Sequence, residues 1–566
     1  MKRRNYFITA LIITAMVAAG CSVQSGTQST NDTVTEVVAE PSGTSSNTVL
    51  TSLNTTSEVV LDTEFTARDL EVGYEESTAV FITLKDDAVE IDGNGAAVSD
   101  NIITISSEGT YVLSGTLSDG QIVVDVADTK KVQLVLDSVK INNSASAPLY
   151  IKSADKVFIT LKEGSENTLT DGTEYVQTDD NNIDGVIFSK ADVTFNGSGT
   201  LNITGSYKHG IVSKDDIVIT GGTYNITAVK DAINGKDAVK IKDGIFNLSA
   251  DTGNGIQSKN GDNTTKGYVY IAGGTITVTK CQEGIEGTVI IIEDGIIDIT
   301  AADDGMNAAS GSSDETTEEG TTTDGTNSQE QKGSNGENVS EGSKNGEMPA
   351  PPSGEMKGEG SSESAPAGGA PEGTAPGNGG GKRENPGNFG GGFGGGMDEV
   401  DTNCYILIAG GTITIDASGD GIDSNGNLYI TGGTLYVYGP TSNGDGALDY
   451  NGTADVSGGT VLIAGSSGMA QGFSDTSTQY SLLYNLTSVS TAGTEITLTD
   501  AKGTVVASFT PVKDYQSIVI STTELIKDGT YTLTSGTQNA EITLTSVVTS
   551  NGQQGMGGPM GNRPGR

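Results

Sequence analysis

Tryptophan is absent from this chain of 566 residues, histidine occurs once and cysteine three times. One His and three scattered Cys exclude a transition-metal centre, which draws on clustered imidazoles and thiolates. Aromatic residues make up only 5%, so there is little material for the ring platforms on which neutral sugars stack. Cations are also scarce: 31 Lys+Arg stand against 73 Asp+Glu, a net charge of −42. Nucleic acid is thereby excluded as a partner, because phosphate recognition needs a basic footprint. No arginine occurs between Arg68 and Arg383. The hydrophobic share is a low 34%, which places part of the chain outside any packed core. What is plentiful is glycine, 80 residues, which argues against helices at about 1 kcal/mol per position relative to alanine. The chain is still long enough to bury a sizeable core.

The N-terminus is a leader. Lys2, Arg3 and Arg4 precede a largely apolar run from Phe7 to Ala19, and the run ends in Val17-Ala18-Ala19-Gly20-Cys21. That run is too short and too early for a spanning helix. Small residues directly before a cysteine resemble a bacterial lipoprotein signal, cleaved ahead of a Cys21 whose thiol carries lipid. More than one acyl chain gives stable anchoring. The expectation is a protein tethered to the outer face of the cell membrane. No later segment reaches the length of a membrane span.

A repeat dominates the remainder. The pattern apolar-x-apolar-x-x-Gly-x-apolar-x-apolar recurs at Gly199, Gly222, Gly244, Gly274, Gly295, Gly411, Gly433 and Gly459, with a period of about 22 residues apart from two longer steps. The alternating residues on each side, such as Ile217/Ile219 before Gly222 and Tyr224/Ile226 after it, predict two short strands joined at a glycine bend. Such a unit cannot bury its own apolar face, whereas stacked units can. We therefore expect an all-β protein, a parallel β-helix. A propeller needs four strands per blade and a longer period.

The expected organisation is a signal peptide over 1–20, a Ser/Thr-rich tether over 21–75 and the first part of the β-helix over 76–307. A disordered Gly/Ser/Glu-rich insertion follows over 308–400, then the second part of the β-helix over 401–475. An antiparallel cap over 476–549 and a tail over 550–566 complete the chain. Cys281 and Cys404 fall in different columns of the repeat, which favours free thiols.

A second column lies nine or ten residues after most anchors: His209, Asp231, Asn254, Glu283, Asp304 and Asp420, each followed by Gly or Ala. Asp and Asn stabilise bends, and glycine permits them. Stacking adds a further demand, because carboxylates one repeat apart repel each other. Calcium, which takes hard oxygen ligands, answers that demand. Asp215, Asp216, Asp237 and Asp423 mark the next corner. The expected calcium ligands are Asp215, Asp216, Asp231, Asp237, Asp304, Asp420 and Asp423. Tyr270 and Tyr429 share an outward position on their strands and are the candidates for stacking on sugar rings.

Catalysis has less support. A polysaccharide lyase of this architecture needs a base, commonly arginine, and the repeats contain none. Lys190, Lys214, Lys236 and Lys259 near the corners leave a lysine base as the alternative. Asp303-Asp304 imitates a hydrolase carboxylate pair, yet isolated acid pairs are expected by number alone in so acidic a chain.

Phe188-Ser189-Lys190-Ala191-Asp192, Asn196-Gly197-Ser198-Gly199-Thr200-Leu201, His209-Gly210-Ile211-Val212-Ser213-Lys214-Asp215-Asp216 and Gly255-Ile256-Gln257-Ser258-Lys259 together resemble a known family. It is the bacterial carbohydrate-binding domain family, formerly a domain of uncharacterised function, and Tyr111-Val112-Leu113-Ser114-Gly115 begins the match. The resemblance covers roughly Val80 to Ala470. It implies a right-handed β-helix at the cell surface that binds calcium and acidic polysaccharides such as polygalacturonate. The chain departs from the family at Lys190-Ala191-Asp192, where an acidic pair is usual, and at Asp231-Ala232, where Asp-Gly is usual. The expectation is thus a non-enzymatic, lipid-anchored, calcium-dependent binder of acidic polysaccharide. A lyase or hydrolase, and a structural surface protein without a sugar ligand, are the alternatives.

Overall fold

The computed structural model describes residues 61–86, 88–311 and 399–551. Cys21 and the rest of the leader, the chain up to residue 60, the tract 312–398 and the tail 552–566 lie outside the described residues.

Among the described residues the protein is all β, with no helix. Two large, parallel-rich sheets carry the repeat, and a four-stranded sheet follows. Alternation along each strand decides which side chains meet. The residues before the anchors line up one per repeat as Val193, Ile217, Val239, Val269, Ile290, Ile406, Leu428 and Ala454. Those after the anchors form the column Leu201, Tyr224, Phe246, Ile276, Ile297, Ile413, Leu435 and Val461. Short strands of the twelve-stranded sheet add Ile187, Ile211, Ile233, Ile256, Ile285, Met306, Ile422 and Leu448. All three columns converge on one buried apolar core. Because like side chains stack on like, every repeat buries the face that its neighbour needs covered.

The anchor glycines hold the bend between the two strands. Gly433 has φ 78°, a left-handed conformation that side chains resist. A Cβ there would stand 2.6 Å from the carbonyl oxygen of Gly410 in the preceding repeat. Strain and clash together fix glycine at this position.

Strands on either side of the tract 312–398 pair directly. Val289–Ile292 lies parallel to Tyr405–Ile408, and Met306–Ala308 lies parallel to Ile422–Ser424. At the C-terminal end, Tyr515–Ser521 pairs antiparallel with Thr460–Gly465 and with Ser481–Ser490. Ile496–Asp500, Val505–Phe509, Thr530–Ser535 and Gln538–Thr543 form the antiparallel four-stranded sheet, over a second apolar core. Tyr515–Ser521 occupies the open edge of Thr460–Gly465, which would otherwise offer its unpaired N–H and C=O groups to another chain.

Residues 61–71, assigned to the tether from sequence, are instead packed on the outside of the larger sheet. Asp69 is the anchor: its Oδ1 sits 3.0 Å from Lys156 Nζ and accepts the Thr194 hydroxyl at 2.6 Å. The Arg68 guanidinium lies 4.3 Å above the Phe158 ring. Phe65 stacks on Tyr270 at 5.9 Å, and the Asp62 carbonyl accepts the Tyr268 hydroxyl at 2.6 Å. Leu61 is also buried. Unlike the Ser/Thr-rich stretch before it, the segment carries Phe65, Arg68 and several acids, and these side chains give it contacts with the sheet.

Candidate functional site

The column at His209, Asp231, Asn254, Glu283, Asp304 and Asp420 is first of all a ladder of backbone support. Asp231 Oδ1 accepts the N–H of Asn254 at 2.8 Å, and Asn254 Oδ1 accepts that of Glu283 at 3.1 Å. Asp304 Oδ1 accepts the N–H of Asp420 at 2.6 Å, and Asp420 Oδ1 that of Gly446 at 2.5 Å. Each side chain thus ties its repeat to the next, which is the turn chemistry that Asp and Asn perform well. The glycine that follows is required by closeness. A Cβ on Gly305 would lie 2.2 Å from Ile415 Cγ2 and 2.5 Å from the Gly421 carbonyl oxygen.

At the head of the ladder, His209 Nδ1 is 3.1 Å from both the backbone N–H and the Oδ2 of Asp231. A neutral Nδ1 accepts from the former; a protonated Nδ1 pairs with the latter; it cannot do both. Burial raises the Asp231 pKa. The charged imidazole, the Asn254 N–H and the Asn234 amide outweigh burial and hold the carboxyl below its ordinary range. Asp231 is therefore satisfied by protein partners, and it stands apart from the two carboxylate groups described next.

Five of the seven residues expected to bind a cation are brought together, in two places. Asp215 and Asp216 join Asp192, and Asp304, Asp420 and Asp423 form the second group. In each, one oxygen per residue lies within 4.8 Å of the others. Asp237 borders the first group but is engaged by Lys266 at 3.2 Å and by the Asn260 amide at 2.6 Å. Lys266 also approaches Asp216 at 3.7 Å. The short insertion after Lys259 thus delivers an internal cation to this corner.

In the second group, the charges that act on Asp304 and Asp420 are those of other carboxylates. Burial, followed by the charges of Asp303, Asp445 and Asp449, pushes the Asp304 pKa up to about 6 against the Asp420 N–H. Burial, then Asp449, Asp304 and Asp445, pushes Asp420 up to about 7. In the first group, burial and then Asp192, Asp237 and Asp216 push Asp215 up to about 7. Next to Asp423 in register is Asn307, whose Oδ1 is buried without a hydrogen-bond partner. Hard oxygens, crowded charge and an orphaned carbonyl suit a divalent cation of the calcium type. Asp216 Oδ1 in the first group also accepts no hydrogen bond, but it faces the Lys266 ammonium at 3.7 Å.

Sequence reasoning missed Asp192 and Asn307. Ala191 breaks the acidic pair that would have marked Asp192 as a member of its column. Asn307 sits three residues beyond Asp304, and only the pairing of Asn307 with Asp423 reveals it. The two tyrosines are corrected outright. Tyr270 and Tyr429 do project out of their sheet, away from the main core, but they are only 5% and 6% exposed. Phe65 covers Tyr270, whose hydroxyl bonds Glu293 at 2.6 Å, and Tyr429 packs edge-on against Tyr405. Neither ring is open to a sugar. Cys281 and Cys404 are buried free thiols; burial pushes both up to about 12.

Residues 99–345 match the model of a family described as carbohydrate-binding domain-containing protein. A carbohydrate-binding domain-containing protein of Acetivibrio thermocellus is 41% identical over 150 residues, 26% of this chain. The chain spans about half the length of that relative, 52%. A solved structure, the polysaccharide lyase-like protein from C. thermocellum as a gadolinium derivative, is 36% identical. It covers 41% of this chain and 92% of its own, with a TM-score of 0.36.

Proposed function

We propose that the protein is a non-catalytic binder of acidic extracellular polysaccharide that works through calcium. In this reading the parallel repeats form a right-handed β-helix. The stacked columns support the helix, and the family resemblance supplies the hand. Cys21 carries the lipid that holds the protein at the outer face of the cell membrane, as its leader suggests.

One observation carries the reading. Asp304, Asp420 and Asp423 converge beside the orphaned Asn307 oxygen, on a protein of net charge −42. Alone, such a surface repels a polyuronate. A cation held by three carboxylates and an amide oxygen retains open coordination positions, since calcium takes roughly six to eight oxygen ligands. Sugar carboxylates and hydroxyls supply the missing oxygens. The carbohydrate-binding match over residues 99–345 supports a polysaccharide as the partner.

Titration calorimetry with calcium, followed by polygalacturonate binding in calcium and in chelator, tests this directly. Calcium uptake and chelator-sensitive binding of the acidic polymer are expected, with weak and chelator-insensitive binding of neutral polymers. No calcium uptake, together with unchanged polymer binding in chelator, would refute the calcium bridge. Appearance of unsaturated products or new reducing ends would convert the binder into an enzyme.

A further inference from the structure

The twelve-stranded sheet presents a second charged feature, of opposite sign. One register position in its successive repeats is held by a lysine: Lys152 within Leu149–Ser153, and Lys190, Lys214, Lys236 and Lys259 one residue past Gly185–Ser189, His209–Ser213, Ile233–Gly235 and Ile256–Ser258. The register aligns them. The N–H of Lys190 donates to the Ile151 carbonyl at 3.0 Å, that of Lys214 to Ser189 at 2.8 Å and that of Lys236 to Ser213 at 2.9 Å. Asn234 pairs with Gln257, so Lys259 follows one repeat on. Parallel strands stack about 4.8 Å apart, and five lysine positions therefore ascend one corner in consecutive repeats, with the last, Lys259, only 16% exposed. In a chain with only 31 cations, this concentration has no counterpart in the general composition.

Each lysine has a local partner, but the partners share no pattern. Lys152 meets Asp125 at 2.9 Å, Lys214 meets Asp184 at 3.6 Å and Lys236 meets Asp262 at 3.3 Å. Lys190 donates to the neutral Asn181 amide oxygen at 2.5 Å. Lys259 pairs with Glu286. The side chains of Lys152, Lys214 and Lys236 remain 43%, 42% and 40% exposed. Pairs this exposed contribute little and exchange readily. What repeats is the lysine, so the column is matched to a ligand that itself repeats. Beside it, on the outward positions of the same strands, Asn234 donates to Gln257 at 2.8 Å, adding amides suited to hydroxyl groups.

We propose that this lysine column is a direct, metal-independent contact for a polymer bearing one carboxylate per sugar, laid along the stacking direction of the repeats. The proposal rests on the polysaccharide reading given above and adds to it a surface that needs no cation. Farther along the same sheet, Asn307 and Asp423 take up the outward positions. A single chain would thus be held by ammonium groups at one end of the face and through calcium at the other.

The test uses the full chain with Lys190→Gln, Lys214→Gln and Lys236→Gln combined. A control carries Lys502→Gln and Lys527→Gln on the exposed surface of the C-terminal sheet region, which removes charge away from the column. A third variant carries arginine at the three column positions. Polygalacturonate binding is measured for all four proteins over a salt series, in calcium and in chelator, with melting temperatures alongside. The triple glutamine variant is expected to bind at least about tenfold more weakly in one or both conditions and to show a shallower salt slope. Arginine should restore binding because it keeps the charge, and the control should match wild type. The column has no role if the glutamine variant binds within about twofold of wild type in both conditions, or if the control loses as much. Silence of the wild type on every polymer would sink the polysaccharide reading itself. Wild-type binding with an unaffected variant sinks only the lysine column.

Discussion

Replacing Asp420 by Asn separates two jobs of one side chain. Its Oδ1 accepts the Gly446 N–H at 2.5 Å, and an amide oxygen keeps that bond. Only the charge is lost. In the metal-free wild type, burial and then the charges of Asp449, Asp304 and Asp445 push the carboxyl up to about 7. From the ordinary value of 3.8, the rise is about 3 units, or ~4 kcal/mol at 1.36 kcal/mol per unit. The group is partly solvated, so screening reduces this to ~2 kcal/mol. The sign follows from proton release. As pH climbs, the unfolded chain gives up this proton first. Metal-free stability is therefore highest near the unfolded value and falls as pH rises through about 7. The Asn variant escapes that loss. For a folded body of about 400 residues, with ~2.1 cal/mol/K of unfolding entropy each, ~2 kcal/mol is about 2 °C in Tm. Scanning calorimetry in chelator at about pH 4 and about pH 8 reads it. The two proteins should nearly coincide in acid, and the variant should melt about 2 °C higher at the alkaline pH. Calcium should reverse the order, since wild type gains about 2.7 kcal/mol at one hundred times Kd. A variant that melts below wild type in chelator at alkaline pH would show that the cluster is not under repulsion.

Cys21→Ala should leave the protein unlipidated and shift it from the detergent phase to the aqueous phase; equal partitioning of wild type and variant counts against the anchor. Deleting residues 312–398 should preserve a cooperative melt, because the strands that flank the tract already pair in register; a broad, low-amplitude transition would show otherwise. Gly305→Ala should cost about 3 kcal/mol or more, because the added methyl meets both a side chain and a backbone oxygen. Gly493→Ala, where the space is open, should cost roughly 1 kcal/mol from positive φ alone, and equal losses by denaturant titration would contradict the steric account. Burial raises the Asp69 pKa, but Thr194, Thr66 and Lys156 outweigh it and hold the carboxyl at about 2. Asp69→Asn should lower stability by about 1–2 kcal/mol above about pH 4. The difference should fade as pH falls through about 2, and a loss that persists in acid would assign the effect to something other than charge.

The glycine bends and the apolar columns were legible because stacking writes the same requirement into every repeat. Ile290 and Ile406 can be matched by eye across the tract for that reason. The candidate site was legible to the extent that it obeys the same period. Asp304, Asp420 and Asp423 keep the column spacing and do meet. Asp231 keeps it too, but His209 one repeat earlier claims its charge, and spacing does not report which partner wins. Tyr270 exposes a different limit. Alternation separates the two faces of a strand, but it does not reveal that Phe65, some two hundred residues away in sequence, lies over the outer one. Single, non-repeating contacts of that kind leave no periodic trace.

The in-register pairing across the tract also dictates an order of assembly. Val269 finds its partner Ile290 after 21 residues, but Ile290 must wait 116 residues for Ile406. Closing the longer loop costs about 1.5 kcal/mol more by the logarithmic dependence of closure entropy on length. Each link within a half is cheap and local, while the link between halves is slow and rests on a single encounter. A chain that emerges N-terminus first can therefore complete its first half before its second half exists. Asp304 belongs to the earlier half, and Asp420 and Asp423 belong to the later one. The second carboxylate group is completed only at the moment of docking, so calcium uptake at that proposed site would time that one step during refolding.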